Sequence, residues 1–305
     1  MTLSKKSITN KIGRQIFLGA VLLAGVFLSA CANQPVRVSP VTTIPTGHHQ
    51  VGKFVWFDLF TDDMEAITPF YEALFGWSFE SADGYSRKVQ TIFSDKVPIA
   101  TAVLTTPENK KIKESRWLGY ISVEDVDQAS KIIEENRGTL HVLPKNLPDR
   151  GRVAVATDPE GALFGLLTSA HGDPGDTGIM ENQWMGSELW TTDLTAALGF
   201  YSKVAGYEHR RVGIGTESEY LLLVKDNIPR AGVVTIHWKN IKPAWLPYLA
   251  VVDVVATAKK AERLGGKILV SPDTKMPNGL VAIIADPTGA VFAIQELTIA
   301  TGEKQ

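Results

Sequence analysis

The chain has 305 residues, with 31 Lys or Arg against 33 Asp or Glu, for a formal net charge of −2. A single cysteine excludes an intrachain disulfide framework, a cysteine-based zinc site and an iron–sulfur centre. The near-neutral balance argues against nucleic acid as a partner, since phosphate recognition needs a basic face, and 44% hydrophobic residues exclude a wholly disordered chain.

Residues 1–30 form a segment apart. Lys5, Lys6, Lys11 and Arg14 precede an uncharged apolar run from Ile16 to Ala30. That run is short for a membrane span, which needs about 20 residues, and has the layout of an export signal. It ends in Leu28-Ser29-Ala30-Cys31, which resembles the lipobox of a bacterial lipoprotein signal. The resemblance implies a signal peptide over 1–30, cleaved before Cys31, and a lipid on Cys31 that anchors the mature chain to the cell envelope. Ala32 stands where an inner-membrane retention signal would have Asp, so in a Gram-negative cell the anchor implies the outer membrane, facing the periplasm. Residues 31–50, with Pro35, Pro40 and Pro45, read as an extended tether.

The remainder repeats itself. Thr61-Asp62-Asp63, Phe70-Tyr71 and Gly76-Trp77 match Thr191-Thr192-Asp193, Phe200-Tyr201 and Gly206-Tyr207. Further on, Trp117-Leu118, Asp125-Val126 and Asp158-Pro159-Glu160-Gly161-Ala162 match Trp245-Leu246, Asp253-Val254 and Asp286-Pro287-Thr288-Gly289-Ala290. The agreement at caps, turns and aromatic positions predicts two domains, 51–170 and 184–298, joined by a Gly/Asp-rich linker over 171–183.

Each domain also divides in two. Residues 52–60 carry bulk at both alternating positions, which predicts a strand buried on both faces. Asp63 is a helix N-cap, Gly76 a C-terminal stop, and Pro69 an awkward guest that removes a hydrogen bond to the Glu65 carbonyl. Strands up to Thr105 follow, with turns at Asp83-Gly84 and Ser94-Asp95. The order restarts with a strand over 117–123, a cap at Asp125, a helix to Arg137 stopped by Gly138, and three more strands. The pattern is βαβββ, four times in the mature chain, an α+β class.

This order, together with Phe54-Val55-Trp56-Phe57-Asp58-Leu59-Phe60-Thr61-Asp62-Asp63, Phe70-Tyr71-Glu72-Ala73-Leu74-Phe75-Gly76-Trp77 and the closing Asp158-Pro159-Glu160-Gly161-Ala162-Leu163-Phe164, resembles the vicinal-oxygen-chelate superfamily. Its members include glyoxalase I, bleomycin-resistance proteins and extradiol dioxygenases. The resemblance implies tandem domains, each two βαβββ modules forming an incomplete barrel around a cleft. It also implies a divalent metal held by His, Gln or Glu, seven residues before each cap Asp and seven after the Asp of each Asp-Pro turn. Here those positions hold Trp56, Leu118, Gly186, Leu246, Gly165 and Ala293, none a metal ligand. His237 is a lone candidate at the end of a strand. No metal and no other cofactor is expected.

Side chains alternate across a strand, so residues two and four past each ligand position face the same way. Those are Asp58, Phe60, Tyr120 and Ser122 in domain one, and Glu188, Trp190, Tyr248 and Ala250 in domain two. With Trp56, each cleft gains one carboxylate, one phenol and an aromatic wall, a composition suited to a small, partly apolar molecule. Trp56, Asp58, Phe60, Tyr120, Glu188, Trp190 and Tyr248 are the expected ligand-binding residues, and Asp58 and Glu188 the candidate catalytic groups, as general bases in a desolvated cleft. The expected function is a lipid-anchored protein that binds a small molecule in metal-free clefts. Two alternatives stay open: a glyoxalase-like lyase, isomerase or hydroxylase, and a structural or partner-binding envelope lipoprotein. Whether the domains pair with each other or with a second chain, as a homodimer, is equally open.

Overall fold

The structure, a computed structural model, describes residues 38–81, 88–105, 115–176, 178–212, 220–236, 241–273 and 280–297. The expected export signal over 1–30, Cys31, Asp83-Gly84 and His237 lie outside these residues. Domain one runs β1 (Phe54–Thr61), α1 (Met64–Phe75), β2 (Ser78–Ser81), β3 (Val89–Ser94), β4 (Val97–Leu104), then β5 (Arg116–Ser122), α2 (Val126–Glu135), β6 (Thr139–Leu147), β7 (Gly151–Thr157) and β8 (Leu163–Ser169). Domain two repeats this as β9 (Trp184–Thr191), α3 (Leu194–Ala205), β10 (Glu208–Val212), β11 (Tyr220–Lys225) and β12 (Ile228–Thr235). Its second module is β13 (Ala244–Val251), α4 (Val254–Arg263), β14 (Lys267–Asp273), β15 (Val281–Ala285) and β16 (Val291–Glu296). Each domain is one open eight-stranded mixed sheet, in the orders β2-β3-β4-β1-β5-β8-β7-β6 and β10-β11-β12-β9-β13-β16-β15-β14. The first strands of the two modules, β1 with β5 and β9 with β13, pair antiparallel at the sheet centre, so every residue of β1 is buried.

The four helices among the described residues start at the aspartates the sequence marks. Asp63, Asp125, Asp193 and Asp253 each accept a hydrogen bond from a first-turn amide, Ala66 N, Gln128 N, Ala196 N and Ala256 N, at 2.8–3.0 Å. Helix α1 continues through Pro69, which sits on its exposed side, where water can serve the Glu65 carbonyl. Helix α2 ends two residues before Arg137, and Arg137 itself takes the left-handed turn (φ 70°). Gly138 serves close approach instead, for a Cβ there would lie 2.5 Å from Ile133 Cγ2 and 2.8 Å from the Thr157 carbonyl oxygen.

The helix-side faces of both sheets close on one another and share a single core that includes Phe57, Tyr71, Trp77, Trp117, Tyr201, Trp245 and Phe292. The Trp184 ring stacks 4.3 Å from Phe57 and lies 4.8 Å from Trp117, and Trp245 lies 4.9 Å from Phe54, all across the domain boundary. Within this apolar layer runs a twice-repeated polar chain. Trp117 Nε1 donates to Tyr71 Oη (2.9 Å), and Tyr71 Oη donates across to Asp286 Oδ2 (3.0 Å). Reciprocally, Trp245 Nε1 donates to Tyr201 Oη (2.7 Å), which donates to Asp158 Oδ2 (3.0 Å). The rim repeats the symmetry, with Trp77 Nε1 donating to the Asn182 carbonyl and Tyr207 Oη to the Gly52 carbonyl.

Removing one hydroxyl leaves two buried groups short of a partner, at a cost of about 1–3 kcal/mol. Tyr71→Phe and Tyr201→Phe are each expected to lower unfolding stability by about 2 kcal/mol in urea titrations, with both domains still melting in one transition. Two separated transitions in the wild type would show that the shared core does not couple them.

Candidate active site

Because the helix-side faces are committed to each other, the opposite faces carry the clefts. In domain one, Trp56, Phe60, Leu118 and Tyr120 form a separate buried cluster there. Asp58 sits among them, 7% exposed. Its Oδ1 accepts from Trp56 Nε1 (3.1 Å), and its Oδ2 accepts from Tyr120 Oη (2.8 Å). The buried Arg150 guanidinium stands 4.0 Å from Asp58 Oδ1, lies 3.9 Å from the centroid of the Trp56 ring, and donates to Thr101 Oγ1 at 3.2 Å. Burial raises the Asp58 carboxyl above its ordinary range against the opposing pull of Arg150, Tyr120, Trp56 and Thr101. Burial also brings Arg150 down to about 10, which leaves it charged at neutral pH, and holds the Tyr120 phenol protonated. Asp58 is thus a fully engaged carboxylate.

Domain two rebuilds the same constellation with one rearrangement. Glu188 Oε1 accepts from Tyr248 Oη (2.9 Å) and from Trp190 Nε1 (2.8 Å). The indole now comes two residues after the carboxylate instead of two before, an exchange that strand alternation permits. The place of Trp56 falls to Gly186, with no side chain. The two clefts also differ in volume: the one beside Asp58, which Val38 borders and Val41 packs against, retains about 50 Å³, whereas the one beside Glu188 holds about 260 Å³. Glu188, Tyr248, Tyr220, Gln295, Met185 and Arg230 line the larger cavity. Arg230 is clamped by the linker, donating from Nη1 to both oxygens of Asp176 (2.7 and 2.9 Å) and from Nη2 to Gln50 Oε1 (3.2 Å). Burial opposes the Asp176 charge, but Arg230 and Lys53 hold its carboxyl below the ordinary range.

Of the residues expected from the sequence, Asp58 and Tyr120 meet in domain one, and Glu188 and Tyr248 in domain two. Trp56, Phe60 and Trp190 lie on the cleft faces but pack behind these pairs, outside the residues that border the remaining cavities. Ser122 instead donates to Asp173 (2.6 Å), which anchors the linker and also accepts from Ser169 Oγ (2.7 Å). Arg150, Thr101, Gly186 and Arg230 are new. Arg150 sits in the β6–β7 turn, where no periodicity signals direction, while Gly186 was visible as a missing ligand without being visible as space.

The model of the Glyoxalase/Bleomycin resistance protein/Dioxygenase superfamily matches residues 53–166. Over 248 residues the chain is 31% identical to a Mycobacterium tuberculosis protein named as a glyoxylase, CFP32, covering 78% of this chain and 92% of that one. The chain belongs to this superfamily. It is also 30% identical over 267 residues to the anthracycline biosynthesis protein DauV of a Streptomyces species, covering 81% of this chain and 94% of the relative. The fold is shared with the Mn(II)-bound glyoxalase of Novosphingobium aromaticivorans (TM-score 0.57, 13% identity, 82% and 83% of the two chains). It is shared as well with 2,2',3-trihydroxybiphenyl 1,2-dioxygenase of Sphingomonas wittichii (TM-score 0.55, 12% identity, 81% and 91%).

The superfamily's divalent ion does not fit the donors among the described residues. In register, Tyr120 lies between Trp56 and Gly165, and Tyr248 between Gly186 and Ala293. A phenol therefore occupies the strand between the two positions from which superfamily ligands would converge. Its ring lies on Gly165 so closely that a Cβ there would come within 2.2 Å of Tyr120 Cδ1. Among the described residues no three His, Cys, Asp or Glu side chains converge.

The raised Asp58 carboxyl has a signed consequence. Above the ordinary value of 3.8 and up to its folded value, the native state holds the proton more tightly than the unfolded chain, so this group's contribution to stability falls as pH rises through that window. Asp58→Asn lacks the proton. The stability of the wild type relative to the variant is expected to decline from pH ~4 upward, measured by urea unfolding. A rising difference would mean that Arg150 outweighs burial.

Proposed function

We propose that the protein is a lipid-anchored member of its superfamily that binds a small, partly apolar molecule in the cleft of domain two, without a metal. The observation that carries this reading is the cavity of about 260 Å³ beside Glu188 and Tyr248, bordered by Gly186 at the place that Trp56 holds in domain one. Its size is close to the lower bound of about 300 Å³ for small-molecule pockets. Its lining joins apolar walls to a few convergent polar groups, the usual arrangement for orienting a ligand. Glu188 accepts a ligand hydroxyl or amine, and Tyr248, held by Glu188, fixes the carboxylate's direction. The names of CFP32 and DauV suggest a glyoxylase or a role in anthracycline biosynthesis, but a glyoxalase reaction would have to proceed here without the superfamily's ligand set. Lipid on Cys31 places the protein on the envelope, and the ligand on that side of the membrane.

A thermal-shift screen of small neutral aromatics and aliphatic carbonyl compounds tests the site. A ligand at one hundred times its dissociation constant stabilises by about 2.7 kcal/mol. Glu188→Ala is expected to weaken any such hit at least tenfold and Asp58→Asn to leave it unchanged. Equal loss in both variants would contradict the assignment to domain two. In cells fed labelled palmitate, the wild-type protein is expected to carry the label and Cys31→Ser to lack it; an unlabelled wild type would remove the anchor from the proposal.

A further inference from the structure

The cleft of domain one is filled by the protein's own N-terminal segment. Val41 is 3% exposed and packs in the cluster of Trp56, Phe60 and Tyr120. The Ser39 carbonyl accepts from Arg150 Nε (2.6 Å), the Ser39 hydroxyl lies 2.5 Å from Thr91 Oγ1, and Val38 borders the residual cavity. What remains beneath is about 50 Å³, room for water but not for a ligand.

This segment is attached lightly. Among the described residues, no backbone–backbone hydrogen bond ties 38–45 to either sheet; the first backbone anchors run from Thr46 N and Gly47 N to the His171 carbonyl in the linker. The Thr42 hydroxyl is buried with no partner among the described residues, and Ile44 is 77% exposed. The fold itself rests on the shared core on the other side of the sheet, to which none of these residues belongs. A strap that meets the described residues of the cleft through the Ser39 carbonyl and hydroxyl, Val38 and Val41, over a cluster built around a buried ion pair, has the form of an occupant.

We propose that the cleft of domain one is a second binding site, shut by a strap over residues 38–42 that presents the features of its ligand. Those features define the class: a neutral, extended molecule with a carbonyl acceptor for Arg150 Nε, a hydroxyl for Thr91 and a small branched apolar group for the Val41 site. Neutrality follows from Arg150 being already matched by Asp58 at 4.0 Å, so that an added carboxylate would sit beside a like charge. A ligand gains access by displacing the strap, and its apparent affinity is reduced by the fraction of time the strap is seated. This site is independent of the one proposed for domain two.

The probe is the acetylated and amidated tetrapeptide of the strap itself, Val-Ser-Pro-Val, added to the mature-length chain carrying Cys31→Ser. Val41→Asp in that chain places a charge in the apolar site and unseats the strap. Calorimetry is expected to show binding at least tenfold tighter to the Val41→Asp chain than to its parent, and at least tenfold weaker once Arg150→Lys removes the Nε donor. Acrylamide quenching supplies a second readout that needs no ligand: Val41→Asp is expected to increase access to Trp56, identified by comparison with Trp56→Phe, while the melting transition stays single. Equal affinity for parent and Val41→Asp, no binding to either, or unchanged quenching would each overturn the strap as a displaceable occupant.

Discussion

The Trp–Tyr–Asp chain that crosses between the sheets is the constraint on which the rest of the molecule depends. Tyr71 and Tyr201 each carry a buried hydroxyl into an otherwise apolar layer, where it must be partnered on both sides. The donor is a tryptophan of the same domain and the acceptor an aspartate of the other. The same aspartates organise the Asp-Pro turns, since Asp158 Oδ1 accepts from Ala162 N (2.8 Å) and Asp286 Oδ1 from Ala290 N (3.0 Å). Register between the domains and the shape of the last turn in each are therefore set by one side chain.

With the helix-side faces consumed in that interface, function is left to the opposite faces, and there the two halves diverge. Domain one places Trp56 and the strap where domain two places Gly186 and open volume. The polar centre survives in both as a buried carboxylate held by a phenol and an indole. A centre kept in two copies, with the indole reached from either side along the strand, is a constraint on charge and hydrogen bonding more than on sequence position. A duplicated fold of this kind can keep one cleft open while using the other as a site for its own chain.

Much of this was legible in the sequence. The four βαβββ modules could be read because Asp63, Asp125, Asp193 and Asp253 are helix caps, and caps are local chemistry. The repeat was visible because Tyr71, Trp117, Asp158 and their counterparts meet at the interface, so the matching positions were the interface before any contact was known. Asp58 with Tyr120 and Glu188 with Tyr248 followed from strand alternation counted from the ligand positions that the superfamily resemblance implies. Arg150 and the strap did not, because a turn side chain and an irregular segment take their direction from tertiary packing. Gly138 was read as a helix stop, and its actual role, close contact with Ile133 and Thr157, is likewise a property of the packed state. Residues 38–50 read as tether by composition, yet composition carries no information about what an irregular segment lies against.

The central claim is that a phenol–carboxylate pair, and no divalent ion, stands beside the positions that the superfamily resemblance assigns to metal ligands. The most direct measurement is the metal content of the protein purified without chelator, incubated in turn with zinc, nickel, manganese and iron(II), and desalted before elemental analysis. The account predicts far less than one equivalent per domain for every ion. Retention of one equivalent per domain, lost when Glu188 or Asp58 is replaced, would contradict it.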